Sequence, residues 1–85
     1  MIDLTNKRWC YMIHPNSKDE NGYIPCIAIE GEPGVIPLSG QGVGAQPWYW
    51  GKELDQALEI CNVRNDRLGL RPKDVERILF SVRSA

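Results

Sequence analysis

The sequence predicts an α+β domain in which three antiparallel β-strands are followed by two α-helices. Up to residue 38 the chain consists of short apolar runs separated by polar or Gly- and Pro-containing turns, which is typical of strands. From residue 52 onward the apolar residues recur every three to four positions, as in amphipathic helices. Because the strands and helices are segregated along the chain, the simplest architecture is a β-β-β meander with both helices packed on one face.

Length and composition predict a single small domain over residues 1–85. The chain is 42% hydrophobic and 25% charged, which is ordinary for a globular protein. No window approaches the roughly 18 consecutive apolar residues that a membrane helix needs. The first residues, MIDLTNKRWCYM, lack the apolar run of a signal peptide. We therefore expect a cytoplasmic protein.

The three predicted strands cover residues 8–14, 23–30 and 35–38. In the first, RWCYMIH, apolar side chains fall on both faces, so at least one face needs a helix to cover it. Residues 15–22 form a polar connection that ends in Asn-Gly, a strong hairpin signal. Pro25 cannot donate to a ladder, which predicts a position near a strand start or on an edge, and Pro37 indicates an edge strand. Prolines at such positions block further strand pairing.

The first predicted helix covers residues 52–67. Its apolar stripe consists of Leu54, Ala57, Leu58, Cys61 and Leu68. Ile60 lies off this stripe and Val63 lies opposite it, so both need another cover.

The second predicted helix covers residues 72–83. Gly69 suits the left-handed position after the first helix, and Pro72 suits the first turn of the second. The apolar residues Val75, Ile78, Leu79 and Val82 follow helical spacing. A strand over RILFSV is the alternative, because Ile78, Phe80 and Val82 also alternate.

Between strands and helices, residues 39–51 form a predicted flexible loop that is rich in glycine and ends in three aromatic residues. Trp48, Tyr49 and Trp50 either anchor this loop to the sheet or form a binding platform. Three consecutive aromatic side chains cannot all point inward from one short segment, so we expect at least one to be exposed.

No pattern in the chain predicts catalysis, a cofactor or a metal site. The loop glycines lack the strand and helix that a dinucleotide fingerprint requires, and no P-loop is present. Cys10 and His14 lack the paired ligands typical of zinc sites and the third group of a catalytic triad. The cysteines, odd in number and widely spaced, are interpreted as small buried hydrophobic residues. We therefore expect a protein that is not an enzyme.

Charge is distributed unevenly, which leaves nucleic-acid binding as an alternative function. The net charge is −1, yet residues 64–85 carry six basic and three acidic side chains. Such a segment can attract an acidic partner or can simply be a solvated face. The residues that would contact phosphates are Arg64, Arg67, Arg71, Lys73 and Arg77.

Between residues 20 and 60 the chain resembles the HicB-like antitoxin domain. The resemblance rests on ENGYIPCIAIEGEPGVIPL followed by KELDQALEI, where Gly22-Tyr23 and residues 54–58 match best. The turn EGEPG and the inserted SGQGVGAQPWYW depart from the family pattern. Because only a short segment follows the first predicted helix, we expect no counterpart of the DNA-binding domain that is common in that family. The C-terminal half, NVRNDRLGLRPKDVERILFSV, looks like small uncharacterised proteins of proteobacterial chromosomes and mobile elements.

Together these observations predict a small non-catalytic protein-interaction module that is antitoxin-like or is an accessory or inhibitor protein of a mobile element. A core this thin cannot absorb every apolar side chain, and the surplus marks a surface for a protein partner or for a second copy of the chain. The residues predicted to form this surface are Trp48, Tyr49, Trp50, Val63 and Phe80.

Overall fold

Three antiparallel strands and two helices follow one another in the predicted order. A computed structural model describes residues 7–38 and 49–84 of the chain. Its elements are β1 (Trp9–Asp19), β2 (Gly22–Ile29), β3 (Ile36–Pro37), α1 (Leu54–Arg67) and α2 (Pro72–Ser84). The strands lie side by side in the order β1-β2-β3. The predicted α+β class and the β-β-β-α-α order are therefore confirmed.

The first strand is longer than predicted, because it extends through most of the expected polar connection and pairs again with β2 at Lys18 and Asp19. β1 continues to Asp19, and its register against β2 shifts between Ile13 and Lys18. The Ser17 hydroxyl donates to the carbonyls of His14 and Ile24 across this irregularity. A bulge of this kind lets a strand continue through residues whose polarity is typical of a turn. The predicted turn thus shrinks to the residues around Asn21.

Pro25 lies near the start of the central strand, so the predicted position near a strand start agrees with the structure and the alternative edge position is wrong. The Glu30 N–H donates to the Arg8 carbonyl, so the even-numbered residues of β2 direct their backbone groups toward β1. The Pro25 nitrogen therefore faces the other side, where β3 pairs with β2 at Cys26 and Ile27 within the described residues. The proline accordingly removes no donor from the ladder between β1 and β2.

The helices contact opposite faces of the sheet, which corrects the expectation that both pack on one face. Tyr11 and Ile13 belong to the apolar cluster with α1, whereas Cys10 and Met12 belong to the cluster with α2. Adjacent residues of a strand point to opposite faces. Since β1 carries apolar side chains on both faces, one helical layer could not have covered them all. Each helix instead covers one face.

The end of α1 forms the predicted glycine cap. Gly69 has φ +81° and follows the last helical turn. Its N–H donates to the Asp66 carbonyl at 2.9 Å, and the Leu70 N–H donates to the Asn65 carbonyl at 3.0 Å. This pair of bonds is a Schellman motif, which satisfies carbonyl groups that the helix leaves without a partner.

The last segment is a helix, and the alternative strand over residues 77–82 is wrong. Arg71 precedes it where a capping serine would be expected, and Asp74 compensates. The Asp74 carboxylate accepts a hydrogen bond from the Arg71 N–H at 2.9 Å and lies 3.1 Å from the Arg8 guanidinium. The bond from Arg71, and then the one from Arg8, lower the pKa of Asp74. A carboxylate in the first turn also suits the helix dipole.

The buried stripe of α1 is rotated relative to the predicted one. Ala57, Cys61 and Asn65 are the buried residues of this helix, while Leu58 and Leu68 are more than two-fifths exposed. Helical spacing alone predicts that Leu58 lies inside the core. Its exposure results from the position of α1 beside the edge of β1, where one flank of the helix has no covering layer among the described residues.

Candidate functional site

A groove of about 660 Å³ runs between α1 and α2 and has the edge of β1 as its floor. It forms because the helices cover opposite faces of the sheet and extend past the same edge strand. Its apolar lining comes from all of these elements and from the turn before β3: Tyr11, Met12, Ile13, Val35, Leu54, Leu58, Val75, Leu79 and Val82. Its polar groups are His14, Asn62, Asn65 and Arg83. A concave and mostly apolar surface of this kind is typical of binding sites.

Asn65 closes the edge of β1 at the floor of the groove. Its side-chain Nδ2–H donates to the Tyr11 carbonyl at 2.9 Å, and its Oδ1 accepts from the Tyr11 N–H at 2.7 Å. The amide of Asn65 thus makes the two bonds that a neighbouring strand would make. With 2% of its surface exposed, it is the buried polar residue of the described core. This contact blocks strand addition at Tyr11.

Cys61 lies one turn before Asn65 and donates to the same Tyr11 carbonyl, with an Sγ–O distance of 2.8 Å. All three cysteines are free and buried, as their interpretation as small hydrophobic residues predicted. Burial raises the pKa of Cys61 to about 12 and the pKa of Cys10 to about 11. A high pKa keeps a thiol protonated and therefore unreactive at neutral pH.

These raised pKa values give an expected pH dependence of stability. A thiol whose pKa is higher in the folded state than its ordinary value of 9.0 contributes stability in full below pH 9. We expect that contribution to be lost as the pH rises from about 9 toward about 12, because the unfolded chain then releases its thiol protons first. Urea unfolding of the wild type and of Cys61→Ala over this range measures the effect.

The difference in slope between these two proteins isolates Cys61 from the other groups that titrate in alkaline solution. A wild-type slope equal to that of Cys61→Ala would contradict the assignment. Rapid labelling of native Cys61 by a thiol reagent at neutral pH would contradict it too.

A second depression, of about 620 Å³, continues the groove toward the loop between the helices. It shares Asn62, Asn65 and Val75 with the first groove. Val63 lies on its border and is 47% exposed. The surface between α1 and α2 therefore presents apolar side chains along much of the length of both helices.

Trp50 is an anchor in this structure, because only 8% of its surface is exposed. The Trp50 N–H donates to the Tyr23 carbonyl, and the Gly51 carbonyl accepts from the Tyr23 N–H, so this short segment pairs with the start of β2. Its ring centroid lies 5.4 Å from that of Tyr11, and the Arg64 guanidinium lies 5.0 Å above the ring. Trp50 therefore adds no open apolar area to the groove.

Among the described residues, the other predicted partner-binding residues do not form one patch. Tyr49 is half-buried, and Trp48 lies outside the described residues, as does most of the predicted flexible loop over residues 39–51. Val63 borders the second depression on α1, while Phe80 lies on α2 and is 71% exposed. The Phe80 side chain instead borders a shallow depression with Lys73, Glu76 and Arg77.

The five basic residues of the alternative nucleic-acid surface are all exposed: Arg64, Arg67, Arg71, Lys73 and Arg77. They are spread over both helices and the connection between them. Acidic residues Asp66, Asp74 and Glu76 lie among them, so the local charge is mixed. Within residues 7–38 and 49–84 no group of three His, Cys, Asp or Glu side chains lies close enough to hold a metal ion.

Sequence reasoning missed Asn65 and the groove itself. Asn65 follows Ala57 and Cys61 at intervals of four, a spacing that indicates a place on the buried stripe. A buried asparagine requires hydrogen-bond partners, so this position could have been singled out. The groove, in contrast, depends on how the helices divide between the faces of the sheet.

No protein-family model matches the chain, and no match was found among curated proteins or solved structures. None of the described helices is long and apolar enough to cross a membrane.

Proposed function

We propose that the chain is a non-catalytic, cytoplasmic interaction module that binds an apolar segment of a partner protein in the groove between α1 and α2. The observation that carries this proposal is the groove of about 660 Å³, with leucine side chains on its α1 wall and leucine and valine side chains on its α2 wall. Leu58, on the α1 wall, is 42% exposed. A concave surface lined mainly by apolar side chains with a few polar groups is the usual form of a binding site.

The floor of the groove favours a partner that binds by its side chains. Strand addition needs free N–H and C=O groups along a sheet edge. At Tyr11 both groups already bond to Asn65. A helix or loop that inserts apolar side chains between Leu58 and Leu79 avoids this obstacle, and helix-in-groove binding is a common mode of peptide recognition.

The resemblance to the HicB-like antitoxin domain supports a more specific role. Under this proposal the partner is a toxin, or another factor encoded with a mobile element, and the module inhibits it by occupying an apolar surface. Recognition by apolar side chains needs no catalytic group, and none of the motifs in the chain supplies one.

Site-specific photocrosslinking tests the groove in the native host. A photoreactive residue at position 58 faces the groove, whereas one at position 59 replaces an exposed residue that does not line it. We expect one host protein to be captured from position 58, little capture from position 59, and a loss of capture when Leu79→Asp is added. The Asp side chain would place a charge in an apolar contact, which is costly to bury.

Capture from both positions alike would contradict the proposal. So would capture that survives Leu79→Asp in a protein whose circular dichroism spectrum and melting temperature show that it remains folded.

Nucleic-acid binding through the basic residues is the second candidate. The supporting observation is that all five side chains are exposed and none of them belongs to an ion pair among the described residues. The overall charge of −1 and the interspersed acidic residues favour protein binding over nucleic-acid binding.

A further inference from the structure

The outer face of α2 carries an aromatic side chain that the fold does not use. Ile78 is fully buried, whereas Phe80, two residues later, is 71% exposed. At 100° per residue, Phe80 points about 160° away from Ile78. The side chains beside it are charged: Lys73, Glu76 and Arg77 border the same shallow depression, and Arg83 lies between this outer face and the groove, which it also lines.

We propose that two copies of the chain form a symmetric dimer through this face. Their α2 helices lie antiparallel, and the Phe80 side chains of the two copies contact each other near the two-fold axis. Isologous contact of this kind is the commonest form of self-association. An aromatic pair at the axis removes from water the most exposed of the large hydrophobic side chains in the described residues. This inference goes beyond the binding of a partner in the groove and does not depend on it.

Charge complementarity selects the antiparallel arrangement. Glu76 lies about 6 Å before Phe80 along the helix, and Arg83 lies about 4.5 Å after it. An antiparallel copy with Phe80 on the axis therefore brings its Arg83 to within about 1.5 Å of the level of Glu76. Two-fold symmetry forms this opposite-charge pair twice.

The angular positions of these residues agree with the pairing. Viewed down the helix, Glu76 and Arg83 lie on the same side of Phe80, at about 40° and 60° from it, whereas Arg77 lies about 60° away on the other side. When a two-fold axis perpendicular to both helices relates an antiparallel pair, the residues on one side of Phe80 meet the residues on the same side of Phe80 in the other copy. Glu76 therefore meets Arg83 of the mate, and the like-charged Arg77 stays apart from that arginine.

Both charges are available for this contact. The ion pairs of the described chain join Lys7 to Glu32 and Arg8 to Glu30 and Asp74, so Glu76 and Arg83 are not among them. Glu76 and Arg83 are exposed. Since one pair of helices buries well under the roughly 1,200 Å² of a stable interface, we expect a weak and concentration-dependent dimer.

Sedimentation equilibrium from micromolar to millimolar protein tests the pairing with two charge reversals. Glu76→Arg and Arg83→Glu each turn both symmetric attractions into repulsions, so each variant alone should dimerise about tenfold more weakly than the wild type. Mixed in equal amounts, they should associate with each other about as well as the wild type does. One protomer then presents two positive charges at these positions and the other presents two negative charges.

Controls separate this contact from a general charge effect and from the groove. Glu59→Arg makes the same change in net charge at an exposed position of α1 and should leave dimerisation unchanged. Phe80→Ala should weaken it by tenfold or more while the protein stays folded by circular dichroism. Crosslinking from position 58 in the groove should be unaffected by Phe80→Ala.

A wild type that remains monomeric at millimolar concentration would overturn the proposal. A mixture of the two reversed variants that associates no better than either one alone would overturn it as well. Neither outcome would affect the proposed binding of a partner protein in the groove.

Discussion

Replacing Asn65 with alanine should lower the free energy of unfolding by about 2–4 kcal/mol, because it removes both hydrogen bonds to Tyr11, leaving the Tyr11 N–H without a partner and the Tyr11 carbonyl with the weaker thiol donor alone. The bonds are short, at 2.7 and 2.9 Å, and Asn65 is 2% exposed, so water cannot replace the amide without opening the contact between α1 and β1. The Cys61 thiol retains a bond to the same carbonyl, which keeps the effect below that of two fully orphaned groups. Urea unfolding monitored by tryptophan fluorescence measures the change.

Asn62→Ala is the matched control, since Asn62 lies three residues earlier on the same helix and is exposed. Both substitutions gain the same helix propensity, so the difference between them isolates the contact with the strand edge. We expect Asn62→Ala to change the free energy by less than about 0.5 kcal/mol. Asn65→Asp should also destabilise, because a carboxylate can accept from the Tyr11 N–H but repels the Tyr11 carbonyl. Equal effects of Asn62→Ala and Asn65→Ala would contradict the role assigned to Asn65.

Ile78→Ala should destabilise the protein by about 2–5 kcal/mol, because it removes buried methyl groups and leaves a cavity in the cluster that joins α2 to the sheet. Ile78 has no exposed surface and packs with Cys10 and Ala28, which are also fully buried. Because Cys10 and Ala28 have small side chains, few neighbouring atoms on the sheet could shift to fill the cavity. Chemical unfolding at low micromolar concentration gives the value for the monomer.

Phe80→Ala provides the contrast. It deletes more atoms than Ile78→Ala, yet Phe80 is 71% exposed, so we expect a loss of less than about 0.5 kcal/mol under the same dilute conditions. In a strand the two residues would share a face and their costs would be similar. An Ile78→Ala effect no larger than that of Phe80→Ala would therefore contradict both the helix and its orientation.

The groove and the outer face of α2 are two consequences of one structural fact: α1 and α2 do not cover each other. Each helix uses its apolar stripe on its own face of the sheet, and the flanks that face across the edge of β1 stay open. A partner bound in the groove would therefore contact both helices and the edge strand together. Self-pairing through Phe80 would engage Arg83 and Glu76 at the margin of this surface but would leave the leucine and valine lining of the groove open, so the two interactions are compatible.

Several features of this protein are determined by local sequence. Helical spacing specifies α2, through Val75, Ile78, Leu79 and Val82, and Gly69 specifies the end of α1. Both are local, because helix periodicity and a positive φ depend on residues only a few positions apart. The same spacing predicts that Val63 and Phe80 lie outside the core, and both side chains are exposed. Whether they bind a partner stays a prediction.

Tertiary structure alone decided which face each helix covers, that Pro25 lies in the central strand, and that Leu58 is open while Asn65 is buried. The periodicity of a helix shows which side chains share a face, but it carries no information about which surface meets that face. That outcome depends on contacts between residues more than 50 positions apart, such as Asn65 with Tyr11, and their free energy appears only when the whole sheet and both helices are assembled. The groove is a product of that assembly, and no local pattern could have shown it.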